Sequence, residues 1–401
     1  MKRTIEEQIR IITKGTDSVV STDELREKLI RSERTKRPLT VKLGLDPSAP
    51  DIHIGHAVVL RKIRQIQDLG HIAVIIIGDF TGKIGDPTGK AKGRNALSEE
   101  EVRANAATYQ EQVFRIIDPL RTVIRYNSEW LKKLTFEDVI KLASNTTVAR
   151  ILERDDFSNR YKNNMPIGLH EFLYPLMQAY DSIAIDADIE LGGTDQMFNI
   201  LMGRNLQKSM DKEQQVAIFM PILEGLDGKE KMSKSLGNYI GINEPANVMF
   251  KKCMEIPDRL ITKFFELATD EHPARIDEIR KELAEGRNPR DIKLELAKII
   301  TGLYHTEAET GKAEEFYGIA FGKKAIPDDI PDMSIGAVYT LSDMIPLLVK
   351  NGHVASSSEC RRLIQQGGMQ KNGERIDDIS CPVADRDVLK IGKKKFVRII
   401  K

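Results

Sequence analysis

Two histidines three residues apart, His53 and His56, follow a short apolar run, Val41 to Leu45, and the turn Asp46-Pro47-Ser48-Ala49-Pro50-Asp51. Beyond them Val59, Ile63 and Ile66 repeat on one helical face, so the spacing predicts a strand, a turn and a helix over 53–69 with Asp51 as its N-cap. In the first turn of a helix the two imidazoles share a side. Free backbone N–H groups and the helix dipole favour an anion at that end. His-x-x-His in this setting is a candidate phosphate seat. Taken alone, a chance pair on a helix face or half of a metal site explains it as well.

Four further stretches carry chemistry-bearing side chains. Gly78 to Lys90 is glycine-rich and follows an apolar run. It fails as a phosphate loop of the Walker type, because Ile84 stands at the first glycine and Ala91 follows Lys90 where Ser or Thr should bind magnesium. Lys90 and Arg94 remain candidate phosphate ligands. In Tyr174-Pro175-Leu176-Met177-Gln178-Ala179-Tyr180-Asp181, a helix places Tyr174, Gln178 and Asp181 within roughly 60° of one face. A phenol, an amide and a carboxylate on one stripe suit a small polar ligand, although a solvent-facing stripe has the same pattern. Leu191-Gly192-Gly193-Thr194-Asp195-Gln196 permits close backbone approach and offers Asp195 to ribose hydroxyls. Lys231-Met232-Ser233-Lys234-Ser235 lies between glycines, where two lysines could neutralise charge on a leaving phosphate; on its own a lysine run is solvated surface.

These residues must be held by alternating strands and helices. Strands are predicted at 41–45, 72–80, 122–126, 183–186 and 216–220, with helices at 53–69 and 98–117 between them. The run 72–80 is continuously apolar, as in a parallel sheet covered on both faces. The pattern is doubly wound α/β, in which ligands bind at the C-terminal ends of strands. The segment 127–167 interrupts it with helices and reads as an insertion. After Gly241 the chain turns helical, at 260–267, 274–284 and 289–303, and a Pro- and Asp-rich linker follows at 323–331. Residues up to about Arg37 read as one or two charged helices.

With 401 residues, 41% apolar and 30% charged, the chain is long enough for two or three globular domains. No apolar run reaches membrane-spanning length, so no membrane partner is expected and a cytoplasmic location is the simplest inference. Cys253, Cys360 and Cys381 are far apart and odd in number, which predicts buried free thiols. The net charge of +1 hides an asymmetry: residues 340–401 hold 12 basic and 7 acidic side chains, while the rest is net acidic. A basic module at the C-terminal end points to an anionic partner.

His53-Ile54-Gly55-His56 early and Lys231-Met232-Ser233-Lys234-Ser235 after the last strand form the motif pair of class I aminoacyl-tRNA synthetases. With Tyr174, Gln178, Asp181 and the Gly-Asp-Pro-Thr-Gly-Lys run around Asp86, nearly the whole chain resembles the bacterial tyrosyl-tRNA synthetases. The segment containing Cys360 to Gly373 resembles an S-four-like RNA-binding domain. The resemblance implies a nucleotide-binding catalytic domain at 1–240, an α-helical anticodon domain at 241–325, a linker at 326–336 and a small α+β RNA-binding domain at 337–401. It implies L-tyrosine, ATP and tRNA as substrates, Mg2+ carried by the ATP phosphates, and a homodimer formed through 127–167.

By the same resemblance, Asp181 bonds the tyrosine hydroxyl, while Tyr174, Gln178 and Asp86 hold the α-ammonium. Gln196 lies beside the carboxylate. Asp46, His53, Gly55, His56, Lys90, Arg94, Lys231, Met232, Ser233, Lys234 and Ser235 serve ATP, and Gly193 and Asp195 its ribose. Arg361, Arg362 and Lys371 are the implied RNA contacts. One position departs from the better-known branch, where a second tyrosine helps bind the substrate hydroxyl. Lys42 stands there instead, either serving that hydroxyl or pairing with an acid such as Asp79. A tryptophanyl enzyme shares both motifs but is disfavoured by the polar stripe and the C-terminal module. A non-catalytic RNA-binding relative is disfavoured by the intact motifs.

Overall fold

The computed structural model describes residues 3–45, 52–84, 108, 110–321, 330–335, 340–372, 374–376, 378–392 and 395–400. Two compact units make up the chain, Met1–Thr306 and Glu307–Lys401.

The first unit is built on a six-stranded sheet. Its strands are β1 (Ser18–Val20), β2 (Thr40–Leu45), β3 (Ile72–Ile77), β4 (Thr122–Tyr126), β5 (Ile189–Gly193) and β6 (Val216–Met220). Their order is β1-β6-β5-β2-β3-β4, and all pairs are parallel except β1 with β6. Residues 73–77 of β3 and the whole of β6 are buried, as covered parallel strands require. Strand order reverses between β2 and β5, so the crevice beyond their C-terminal ends is the expected ligand position.

The helices supply the side chains that meet there. In chain order they begin with α1 (Ile5–Ile12), α2 (Thr22–Thr35) and α3 (Ile54–Asp68). In the insertion lie α4 (Ser128–Leu131), α5 (Phe136–Ala143), α6 (Val148–Ile151) and α7 (Asp155–Lys162). Then come α8 (Leu169–Ala184) and α9 (Met197–Ser209), which pack on each other. The region predicted as strand at 183–186 is instead the end of α8. Ile183 continues its buried face, and Asp186, at φ 48°, turns the chain out of the helix toward β5. Strand β1 is absent from the sequence reading, because three residues are too short for a periodic signal. The predicted helix 98–117 lies mostly outside the described residues, with residues 110–113 helical.

The helices α10 (Ala246–Glu255), α11 (Ile261–Ala268), α12 (Pro273–Ala284) and α13 (Pro289–Gly302) belong to the same unit. They are fastened by Lys14, whose Nζ donates to the carbonyls of Thr269 (2.9 Å) and Glu271 (3.0 Å), and by ion pairs of Arg61 with Asp270 and Arg10 with Asp277. Among the described residues no helix is long and apolar enough to cross a membrane.

The second unit begins with α14 (Glu307–Phe321). It contains α15 (Leu341–Lys350), α16 (Ser357–Gln365) and a five-stranded sheet of β7 (Asp332–Ser334), β8 (Met369–Lys371), β9 (Glu374–Arg375), β10 (Val388–Ile391) and β11 (Lys395–Ile400). Leu341, Met344, Leu348, Cys360 and Ile364 from the helices pack with Met369, Leu389 and Val397 from the sheet. Cys253 and Cys360 are buried thiols; Cys381 is partly exposed, a departure from the expected burial of all three.

Candidate active site

A cavity of about 800 Å³ opens at the reversal of strand order, beyond Gly44–Leu45 of β2 and Gly192–Gly193 of β5. It brings together His53, Gly55 and His56 at the start of α3, Tyr174, Gln178 and Asp181 from α8, Gly193 at the end of β5 with Asp195 and Gln196 after it, and Lys231 to Ser235. Stretches almost 180 residues apart in sequence thus share one chamber. Asp46, Asp86, Lys90 and Arg94 lie outside the described residues, as does Asp51.

At one end, His53 is itself the N-cap of α3: its Nδ1 accepts the backbone N–H of His56 at 3.3 Å. The predicted cap at Asp51 is therefore displaced by two residues. Because Nδ1 accepts, the neutral ring carries its proton on Nε2. The two imidazoles stack, with centroids 3.7 Å apart and planes at 16°. Burial pushes His53 down to about 3, reinforced by His56 and Lys234. His56 is lowered as well, first by desolvation and then by Lys234 and Lys231. Both rings are neutral near pH 7. Among the described residues no group of three or more His, Cys, Asp or Glu side chains is gathered in a form that could hold a metal.

The lysine loop touches α3 directly. The Gly55 N–H donates to Sδ of Met232 at 3.3 Å, and a Cβ on Gly55 would stand 3.0 Å from the His53 ring and 3.2 Å from Cβ of Met232. Only glycine permits this approach without displacement. Asn238 shapes the loop: its Oδ1 accepts from the Ser233 N–H at 2.8 Å, and its Nδ2 donates to the Lys231 carbonyl at 3.2 Å and to Asp227. Met232 is buried, leaving Lys231 and Lys234 exposed on either side of it. Lys234 lies 5.8 Å from the Tyr239 ring centroid.

The polar stripe on α8 forms the other end. Asp181 is buried, and burial raises its carboxyl to about 7, opposed by Lys42 and by hydrogen bonds from Trp130 and Asn127. The Trp130 indole donates to Oδ1 at 2.7 Å, and Asn127 Nδ2 lies 3.5 Å from Oδ2. Neither partner is singled out by the sequence reading. The chain's only tryptophan was a usable signal, because a buried indole N–H requires an acceptor.

Of the two places open to Lys42 the structure has the second, a pair with an acid, and that acid is Glu190. The Lys42 Nζ donates to the Gln178 carbonyl at 2.8 Å and to Ser182 Oγ at 2.7 Å, and pairs with Glu190 at 2.9 Å. Three acceptors occupy the three N–H donors of an ammonium, so none remains for a substrate hydroxyl. Asp79 is not its partner either, since that carboxylate accepts from the Ser128 N–H at 2.9 Å and hydroxyl at 2.5 Å. Register decides the pairing: Lys42 stands opposite Glu190 in the β2–β5 ladder.

Between the two ends, Gln178 and Gln196 both accept from Nδ2 of Asn199, each at 3.0 Å. Arg154, from the insertion, donates to Oδ1 of Asn199 at 3.1 Å. In the second unit Arg361 and Arg362 are exposed on α16, whereas Lys371 donates to the Pro382 carbonyl at 2.9 Å and lies 3.7 Å from Asp387.

The described arrangement has close relatives. Residues 34–322 match the family model of class I tRNA synthetases (W and Y). A tyrosine–tRNA ligase 2 of Clostridium acetobutylicum is 58% identical over 99% of both chains. A tyrosine–tRNA ligase of Thermotoga maritima is 52% identical over 99% of this chain and 98% of its own. Among solved structures, a tyrosyl-tRNA synthetase of Archaeoglobus fulgidus complexed with L-tyrosine is 25% identical, with a TM-score of 0.62 over 78% of this chain and 100% of that one. A cavity joining the two motifs, and a match that runs from end to end, lead to one conclusion: the chain belongs to the class I aminoacyl-tRNA synthetases, in their tyrosyl branch.

Proposed function

We infer that this chain is a tyrosine–tRNA ligase that activates L-tyrosine with ATP and then esterifies tRNA. The observation that carries the reading is a single chamber with Asp181 at one end and the His53/His56 pair beside Lys231 and Lys234 at the other. Tyrosine fits with its hydroxyl at Asp181, its α-ammonium near Tyr174 and Gln178, and its carboxylate near Gln196; Asp86, outside the described residues, is assigned to the ammonium by the resemblance alone. The ATP ribose lies against Gly193 and Asp195. Its phosphates face His53, His56, Lys231 and Lys234, with Gly55, Met232, Ser233 and Ser235 completing that wall; Asp46, Lys90 and Arg94, outside the described residues, are assigned to ATP by the resemblance alone.

The chemistry needs no general base, because the tyrosine carboxylate is ionised at neutral pH. A carboxylate oxygen attacks the α-phosphorus, the bond to the bridging oxygen breaks, and pyrophosphate leaves with the electron pair. A ribose hydroxyl at the tRNA 3′ end then attacks the carbonyl of the adenylate and releases AMP. The protein contributes positioning and charge stabilisation. Both imidazoles are neutral donors, His53 through its Nε2–H, and the loop lysines meet the charge that grows on the leaving group. Mg2+ enters on the nucleotide phosphates, which suits a wall of imidazole, hydroxyl and ammonium groups.

The segment 241–325 reads the anticodon and 337–401 grips tRNA through Arg361, Arg362 and Lys371. The protein works in the cytoplasm as a homodimer. Phe136, Ile140, Val148 and Leu169, large exposed apolar side chains in and beside the insertion, support an interface there. The decisive test is pyrophosphate exchange with each amino acid in turn. Exchange with tyrosine alone supports the reading, and exchange with tryptophan or with none contradicts it.

A further inference from the structure

We propose that the Asp181 end of the chamber reads the para substituent of its substrate only as a hydrogen-bond donor, so that the class it admits is phenylalanine bearing a para O–H or N–H group, para-aminophenylalanine beside tyrosine. The proposal rests on the tyrosine-activating function above and deepens it to the chemistry of one substituent.

A phenol hydroxyl offers one hydrogen and accepts through its oxygen, so a site can answer either half or both. The polar side chains lining this end of the chamber include two carboxylates, Asp181 and Glu190, with Asn127 and Thr81 beside them. Both carboxylates are buried, and an ionised carboxylate only accepts.

The nitrogen donors nearby are turned to protein acceptors. Lys42 has its three N–H bonds on the Gln178 carbonyl, Ser182 Oγ and Glu190, and among the described residues it is absent from the chamber lining. The single N–H of Trp130 goes to Oδ1 of Asp181. Asn127 is oriented by the Phe80 N–H, a donor that fixes its Oδ1 at 3.0 Å. Its NH2 therefore faces Oγ1 of Thr81 at 3.0 Å and Oδ2 of Asp181 at 3.5 Å. The Ser182 hydroxyl donates to Oε2 of Glu190 at 3.1 Å. Hydrogen from these groups is aimed at the two carboxylates and at Thr81, and the chamber is left with acceptors.

Tyrosine is then held by its hydrogen. An aromatic amine is neutral at pH 7, carries N–H groups at the same position, and accepts poorly because its lone pair is delocalised into the ring. It satisfies Asp181 as a phenol does. A para fluorine or hydrogen leaves a buried carboxylate short of a partner.

Pyrophosphate exchange on the full chain tests this, with tyrosine, para-aminophenylalanine, para-fluorophenylalanine or phenylalanine as the one amino acid present. It is run at about pH 8, where Asp181, at about 7, is ionised. The kcat/KM for para-aminophenylalanine is expected within about 10-fold of that for tyrosine, and the fluoro and unsubstituted analogues about 10²- to 10³-fold lower. A para-amino analogue no better than the para-fluoro one would show that a donor meets the phenol oxygen, and would overturn the proposal. So would a para-fluoro analogue within about 10-fold of tyrosine, since no donor would then be read. Absence of exchange with tyrosine itself would instead overturn the functional reading beneath it.

Discussion

The indole N–H of Trp130 and the carboxyl of Asp181 meet at 2.7 Å in a space closed to solvent, and this contact keeps a buried acid ionisable. Burial alone would favour the neutral acid; Lys42, Trp130 and Asn127 oppose it, and the result is a group balanced at about 7. An ionised Asp181 accepts from the phenol of tyrosine. Tyrosine affinity should therefore rise with pH through about 7, and Asp181→Asn should flatten the profile. Fluorescence titration from about pH 6 to about pH 8 checks this; an unchanged slope in the variant contradicts it. The stability effect has the opposite sign. A carboxyl whose folded pKa is raised contributes stability below its unfolded value, lost as pH rises through about 7. Without ligand, Asp181→Asn should resist urea better than the wild type at about pH 8, by up to a few kcal/mol, and match it near about pH 4.

His53 behaves in the reverse way. Its folded pKa is lowered to about 3, so the unfolded chain takes up a proton that the native protein refuses. The stability present above about 6.5 is lost as pH falls below it. Asn caps helices as well as any residue and does not titrate in this range. His53→Asn should shift the urea midpoint upward at about pH 5 relative to the wild type and leave it unaltered at about pH 8.

His56→Ala should lower the rate of adenylate formation by about 10²- to 10³-fold, with little change in tyrosine affinity. Single-turnover kinetics separate the two. Equal losses in rate and affinity would make the ring a structural element.

Lys42→Met leaves Glu190 as an unpaired buried charge, and should cost about 3–5 kcal/mol in urea unfolding. Lys42→Met with Glu190→Leu should regain much of that loss. A double variant no more stable than the single one would show that the pair does more than neutralise itself.

Removal of residues 334–401 should leave pyrophosphate exchange intact and depress tRNA charging. Filter-bound aminoacylation supplies the measurement, and unimpaired charging would remove the tRNA role from that segment.

Most strands and helices are legible in the sequence because parallel strands covered on both faces read as unbroken apolar runs, as 72–77 does. Helix periodicity likewise puts Tyr174, Gln178 and Asp181 on one stripe. What stays hidden depends on register and on contacts distant in sequence. Lys42 meets Glu190 only because β2 and β5 align them. Trp130 and Asn127 reach Asp181 across 51 and 54 residues, and Arg154 reaches Asn199 across 45. The strand misplaced at 183–186 failed because a four-residue apolar stretch suits a helix end as well as a strand.

The sheet also orders events during synthesis. Thr40–Leu45, its innermost strand, gains its second neighbour only at Ile189, and Ser18 waits for Phe219. A ribosome must extend the polypeptide past Gly193 before the first of these ladders can close and past Met220 before the second, so half the chain emerges while the amino-terminal edge is still unpaired. For this fold, exposure to mispairing is greatest in the nascent chain, and it ends when the last parallel strand clears the exit tunnel.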